Sequence, residues 1–555
     1  KQHGALLKFI EGIDDHIEAS ENTNKQWYAS LMLNRLMFCY FIQKKGFLDQ
    51  DIHYLRNKLK LSKKQSGIDN FYNFYKNFLM ELFHDGLGKP KSQRHHRLQI
   101  PLGKIPYLNG GLFDVHELEH AFESISINDD AFQDIFVFFD NWNWHLDSRY
   151  QATGRDINPD VIGYIFEKYI NDRAAMGAYY TKEDITDYIG KNTIIPFLID
   201  ETERCFEKAP SPTKGIWQFL KQSGSTYIYD VMKHGVPPQD QDIYSDLPDD
   251  ILSGIELDIE DQVVTESTAL RLWDLREPWN QKAPSEIALP SETYRELIER
   301  RQRYSEILEY VQSGDINSIN SFITYNLDIR QFIQDYLEAT EDAEFIQNFF
   351  ISLKNITILD PTVGSGAFLF AALNILEPLY EVCLERMDQF VIEEPGKYLD
   401  IERTLEKIRG TQHPNRSYFI YKTIILNNLY GVDIMREAVE IAKLRLFLKL
   451  VASVNVKPQL ENYGLEPLPD IDFNIRAGNT LIGFANESEI IKSIEKKEGL
   501  FSQKQLDEFN KEFKQTSEAY LSFQEIQLSK DQGSEKFRAS KDELNKKLFN
   551  INHKL

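Results

Sequence analysis

The chain has 555 residues, a mass of 64.8 kDa and a formal charge of −23, from 63 Lys and Arg against 86 Asp and Glu. With 42% apolar and 12% aromatic residues the composition is that of a folded globular protein with room for three or four domains, which excludes a fibrous repeat or disorder throughout. The acidic balance disfavours nucleic-acid binding over the whole surface but leaves room for a local basic face.

Cys39, Cys205 and Cys383 lie far apart in sequence, so no local disulfide framework or CxxC metal knuckle is expected and a cytoplasmic location is the reading. No metal site is predicted. No apolar run is expected to reach the ~18–20 residues of a membrane span, and no signal segment opens the chain, so no membrane partner is predicted.

Residues 1–150 read as a helical N-terminal domain. Leu33, Leu36, Met37, Tyr40 and Phe41 fall at i, i+3, i+4, i+7 and i+8, the spacing of one buried helix face, and Lys44-Lys45-Gly46 supplies a cationic last turn and a stop. Lys89 to Arg97 (KPKSQRHHR) is the most basic short run and reads as a solvated loop; the adjacent His95 and His96 point apart and do not form a chelating pair. Trp142 and Trp144 are expected to close a core.

Residues 151–199 read as a helical segment. Asn158-Pro159 starts a helix with its apolar face at Ile162, Ile165, Phe166 and Tyr169, and Thr181 caps a second one, with Asp184 three residues on. Residues 200–345 carry 30 acidic and 13 basic side chains, so −17 of the total charge sits in this acidic insertion. Within it, residues 239–262 lack a sustained period and are expected to be solvated and partly mobile. No DxDxDG order suggests calcium.

The sharpest chemical signal is NITILDPTVGSGAF. A short strand through Ile356, Ile358 and Leu359 ends at Asp360-Pro361, followed by the turn Gly364-Ser365-Gly366 and an apolar helix from Phe368. Glycines here let backbone N–H groups and the helix N-terminus approach a ligand. GxxxxGK[ST] and GxGxxG both fail, because no Lys-Ser/Thr follows and Leu369 stands three residues after Gly366. An acid ahead of the glycines repels a pyrophosphate and suits a cationic ligand, such as the sulfonium and amino group of S-adenosyl-L-methionine. A second strand, read from Thr423 to Tyr430, leads into Gly431-Val432-Asp433, placing Asp433 for ribose hydroxyls. DFNIRAGNTLIGF reads as a third strand end carrying Asn479, whose amide can bond an adenine. Residues 346–485 are therefore read as the nucleotide-type α/β core and 486–555 as a helical charged tail or insertion.

Together GAYYTKEDI, DPTVGSGAF, YGVDI and DFNIRAGNTLIGF resemble the adenine-N6 DNA methyltransferases of bacterial restriction-modification systems, in particular the Eco57I-like type IIG enzymes and type I modification subunits. The resemblance implies an α/β, class I (Rossmann-like) S-adenosyl-L-methionine methyltransferase sheet, incomplete here, behind a helical N-terminal domain. It implies that Tyr180 and Thr181 line the methionine end of the cofactor, that Asp360, Gly364 and Gly366 cradle its amino acid and sulfonium, that Asp433 holds the ribose and that Asn479 contacts adenine. Lys182 stands where the family usually has Pro. The family's catalytic [DNS]PP[YFW] is missing: the one Pro-Pro pair lies in Val236-Pro237-Pro238-Gln239, ahead of the glycine loop. No catalytic residue is therefore assigned, and the chain, which opens on Lys1, is expected to be the cofactor-binding portion of a longer methylase, inactive alone. Double-stranded DNA, contacted mostly through parts outside the chain, and other subunits of a phage-defence system are the expected partners. The alternatives are a methylase of another amine and a non-catalytic assembly module of a defence complex.

Overall fold

The computed structural model describes residues 9–13, 22–65, 73–94, 101–108, 111–121, 125–146, 155–169, 181–205, 213–238, 240–255, 273–409, 415–483, 486, 488–490, 492, 502–528 and 535–554. Tyr180, His95 and His96 lie outside them. The chain divides into two compact units, Lys1–Gly190 with Leu353–Leu555, and Lys191–Ser352.

In the first unit, α1 (Asn22–Lys45) is buried nearly all round, not along one stripe as its spacing suggested: Leu36, Tyr40 and Phe41 are buried, but so are Asn34, Arg35 and Gln43. Arg35 and Gln43 are tolerated because they are paired, whereas the Asn34 amide nitrogen is buried without a hydrogen-bond acceptor. Arg35 donates to the Leu112 and Asp114 carbonyls (2.9 and 2.7 Å) and to Glu119 (2.7 Å). Gln43 accepts the Leu55 N–H of α2 (Tyr54–Gln65). α3 (Asp129–Phe139) packs Phe132 and Phe136 against Phe74. Trp144 is buried, as expected, on β1 (Asn143–Trp144), which pairs in parallel with β2 (Asp156–Ile157), whereas Trp142 is half-buried against Phe138. α4 (Pro159–Tyr169) starts where Asn158-Pro159 predicts, with the Asn158 side chain accepting the Val161 N–H. α5 (Glu183–Cys205) starts later than a Thr181 cap requires, because its first turn closes on the Lys182 carbonyl, which accepts the Thr186 N–H.

The second unit is helical: α6 (Thr213–Gln222), α7 (Tyr294–Ser313), α8 (Ile329–Ala339) and most of α9 (Ala343–Asn355). A Thr293/Glu296 capping box opens α7, and Gly314 at φ +85° closes it. The run at 239–262 is largely exposed over its described part, as expected, but Leu247 and Ile251 anchor it by joining Trp279, Leu297 and Ile298 in one core. Arg301 fastens this segment by pairing with Asp246 (2.6 Å), and the buried Arg300 pairs with Glu292 (2.7 Å). Carboxylates dominated the sequence pattern, whereas the few apolar residues among them set the packing.

After α9 come β3 (Ile358–Asp360), α10 (Ala367–Glu393), α11 (Leu399–Arg409), α12 (Arg416–Thr423), β4 (Leu429–Asp433), α13 (Arg436–Ala452) and β5 (Ile475–Ala477). The strands form a parallel sheet in the order β3-β4-β5. β4 starts at Leu429; residues 424–428, expected to belong to it, continue α12 as a wide helical turn instead. Asn428 stops that turn, its buried amide donating to the Leu353 and Ile356 carbonyls (both 2.8 Å). By length and composition α10 could cross a membrane, contrary to the sequence expectation, but two-thirds of its apolar window is buried, the placement of a core helix.

α13 joins the N-terminal helices to the sheet. Its C-terminal carbonyls at Val451 and Ala452 accept Lys45 Nζ from the end of α1, a cationic cap of the kind the helix dipole favours. Burial lowers the Lys45 ammonium to about 8. α14 (Ser502–Leu528) and α15 (Glu535–Lys554) form a hairpin against the segment leading into β5, with Phe523 packed on Phe473 and Gln527 bonded to the Asp470 backbone.

Candidate cofactor site

Parallel register brings the predicted carboxylates together. Asp360 ends β3 opposite Gly431, and Asp433 ends β4 two residues further on, opposite Ala477 of β5. Carboxyl ends of parallel strands are where open α/β sheets take ligands. Asp360 is buried, and its Oδ1 accepts the Thr362 N–H (3.0 Å), shaping the start of the glycine turn.

The turn needs its glycines. Gly364 and Gly366 hold φ of +51° and +89°, where a Cβ is strained. Gly366 is also the cap position of α10 and receives no side-chain cap, so the first-turn N–H groups of a 27-residue helix are left for backbone, solvent or an anionic ligand group. Asp433 binds the turn directly: Oδ2 accepts the Gly364 N–H and Oδ1 the Met435 N–H, both at 2.8 Å. The Val363 N–H donates to the Val432 carbonyl (2.9 Å), seating the loop on β4. This seat explains Gly431, which sequence reading did not single out: a Cβ there would lie 2.8 Å from Val363 Cγ2.

Asn479 stands exposed just beyond β5, its side-chain oxygen accepting the Leu481 N–H (2.9 Å). Its neighbours bind the same constellation, since the Gly478 N–H donates to the Asp433 carbonyl (2.8 Å) and Thr480 Oγ1 to the Pro361 carbonyl (2.6 Å). Ile434, immediately after Asp433, is 66% exposed at the strand ends, an apolar surface beside the Asp433 carboxylate.

Thr181 approaches the glycine loop from another side. It lines a small recess with Ser365, Ala367, Phe370, Asp160 and Glu183, which does not include Asp360, Asp433 or Asn479. Burial and the neighbouring Asp160, Asp184 and Asp187 carboxylates raise the Glu183 pKa above its ordinary value. Also lining this recess is Arg445 of α13, another residue that the sequence reading missed. Among the described residues no group of His, Cys, Asp and Glu is arranged to hold a metal.

The strand-end groups lie within the part of the chain that comparison with known proteins relates to a methyltransferase domain. Residues 336–494 match the family described as MmeI, DNA-methyltransferase domain, and residues 31–157 match a domain of unknown function, DUF7814. The chain is 27% identical over 489 residues to a protein of Methanocaldococcus jannaschii provisionally named a type II restriction enzyme and methyltransferase, a match covering 85% of this chain and 29% of that protein. The chain thus spans less than a third of the length of this relative. No solved structure matches it. These likenesses support a DNA-methyltransferase domain of the restriction-modification kind.

Proposed function

We propose that the chain is the S-adenosyl-L-methionine-binding portion of a site-specific adenine-N6 DNA methyltransferase, of class I (Rossmann-like) fold, working in the cytoplasm in a restriction-modification or phage-defence system. The observation that carries this reading is that Asp360 and Asp433 end adjacent parallel strands, with Asp433 bonded to the glycine turn that leads into the uncapped N-terminus of α10.

The residues fit the cofactor group by group. The glycine turn leads into the first-turn N–H groups of α10, which no side chain caps and which suit the carboxylate of an amino-acid moiety, with Asp360 as the nearby anion for its cationic end. Asp433, now bonded to the Gly364 N–H, has the acceptor geometry to take a diol instead. Ile434 offers an apolar face for adenine and Asn479 an amide for its edge. Tyr180 and Thr181 would close the methionine end. When bound, the cofactor supplies the electrophilic methyl group, and the chain's own residues bind and orient it.

Holding the target amine requires a polar side chain and an aromatic to stack on an extruded base. Val236-Pro237-Pro238-Gln239 offers neither, so methyl transfer by these 555 residues alone is not expected. That same lack favours, as a second reading, a non-catalytic module of a defence complex. Double-stranded DNA is the proposed substrate. A basic stretch suited to phosphates is present despite the overall acidity: residues 54–108 hold 11 basic and 3 acidic side chains, and Lys60 and Lys64 stand exposed one turn apart on α2. The test is methyl incorporation from labelled cofactor into plasmid DNA by the product of the whole gene. Label in N6-methyladenine is expected; label in another base or in protein, or none while the cofactor still binds, overturns the adenine assignment.

A further inference from the structure

The geometry assigns to Arg445 the role of a positioning residue for the cofactor loop, an inference that rests on the cofactor reading above. Arg445 is 5% exposed on α13. Its Nη1 donates to the Ser365 carbonyl (2.8 Å) and hydroxyl (3.1 Å), in the middle of the glycine turn, and its Nη2 pairs with Asp160 (3.1 Å) in the first turn of α4. The guanidinium lies 4.2 Å from the ring centroid of Phe370, in the first turns of α10. One planar cation therefore joins α4, the turn, α10 and α13.

Gly163 makes this possible. A Cβ at that position would sit 2.5 Å from Arg445 Nη1 and 2.8 Å from Ser365 Oγ, so the α4 backbone lies directly against the guanidinium. The turn it holds contains two residues at positive φ and no side-chain cap, a conformation that its own sequence does not over-determine. Fixing the Ser365 peptide from behind sets the direction in which the turn delivers the uncapped N-terminus of α10. The same contact ties the turn to the helix preceding Thr181, so both sides of the proposed methionine end are registered by one side chain. A lysine keeps the charge but, as a single point donor, cannot bond Ser365 and Asp160 in fork geometry.

The test is calorimetric titration of S-adenosyl-L-methionine into the wild-type chain and into Arg445→Lys, Arg445→Ala, Asp160→Asn and Gly163→Ala, with thermal unfolding of each unliganded protein. Arg445→Ala is expected to weaken cofactor binding at least tenfold, with millimolar guanidinium ion restoring part of the affinity, and Arg445→Lys is expected to fall between. Gly163→Ala, which crowds the guanidinium without removing it, should also weaken binding. It and Asp160→Asn carry the test should Arg445→Ala fail to fold. Binding within twofold of wild type in the folded variants, or lost affinity in Arg445→Ala that guanidinium does not restore, overturns the positioning role and leaves the cofactor reading intact. No binding by the wild-type chain overturns the cofactor reading and this inference with it.

Discussion

Asp433 Oδ2 has two partners competing for it, the Gly364 N–H within the protein and a ribose in the proposed complex, and that exchange links loop position to ligand. Substitutions that move the loop should therefore read out as affinity. Gly431→Ala places a methyl 2.8 Å from Val363 Cγ2; overpacking of this kind costs about 1–3 kcal/mol. We expect a lower thermal midpoint and weaker cofactor binding together, whereas an unchanged midpoint would mean that the loop is not seated on β4 as described. A second residue-scale prediction concerns Asp129 at the start of α3. Burial pushes its carboxyl up to about 6, although it accepts the Phe74 N–H at 3.0 Å. A carboxyl raised in the folded state binds its proton more tightly there than in the unfolded chain, so stability falls as pH rises from about 4 to 6. Asp129→Asn keeps the acceptor without the charge and should stabilise the protein at pH 7 by about 1–3 kcal/mol, with no gain at pH 4. Denaturant titrations at the two pH values check this.

Among the elements, the α14–α15 hairpin is held by charge as well as by Phe523. Lys541 of α15 pairs with Asp470 and, at 3.5 Å, with Asp472, which also accepts Lys443 of α13 at 2.8 Å. Burial raises the Asp470 carboxyl, with the charge of Asp472 adding to it. For Asp472 burial acts in the same direction, but Lys443 and Lys541 outweigh it and hold the carboxyl at about 2. Lys541→Met strips the buried Asp470 of its cation and should cost about 3–5 kcal/mol, seen as early proteolysis within 502–554. Cleavage no faster than in wild type would remove the hairpin's ionic anchor from the account. How legible each element was in sequence follows from the range of the interactions that fix it. β3, the glycine turn and the start of α4 were readable because their signals are local: a β-branched run, DP, GSG and Asn-Pro. The true start of β4 was not, since Asn428 is set by carbonyls 72 and 75 residues away. Arg445 was invisible for the same reason, its partners lying 80 and 285 residues distant, and so was Gly431, whose need is created by Val363. The all-round burial of α1 depends on partners for Arg35 that lie 77 to 84 residues on.

For the whole molecule, a charge of −23 is awkward for a DNA enzyme only while it is taken as uniform. Residues 200–345 hold −17 of it, and 54–108 carry a net +8. On this account DNA affinity in the complete protein should fall steeply with salt, and Lys60→Glu with Lys64→Glu should weaken binding across all sequences alike. Filter binding at two ionic strengths measures this, and a double variant with wild-type affinity at both would remove α2 from the DNA surface. More basic than DNA binding is the proposed hold of these strand ends on S-adenosyl-L-methionine. It is measured by calorimetric titration of the cofactor into the wild-type chain and into Asp433→Ala. One site per chain is expected, weakened at least tenfold (about 1.4 kcal/mol) by the substitution. No heat of binding with the wild type, or equal affinity in the variant, would contradict it.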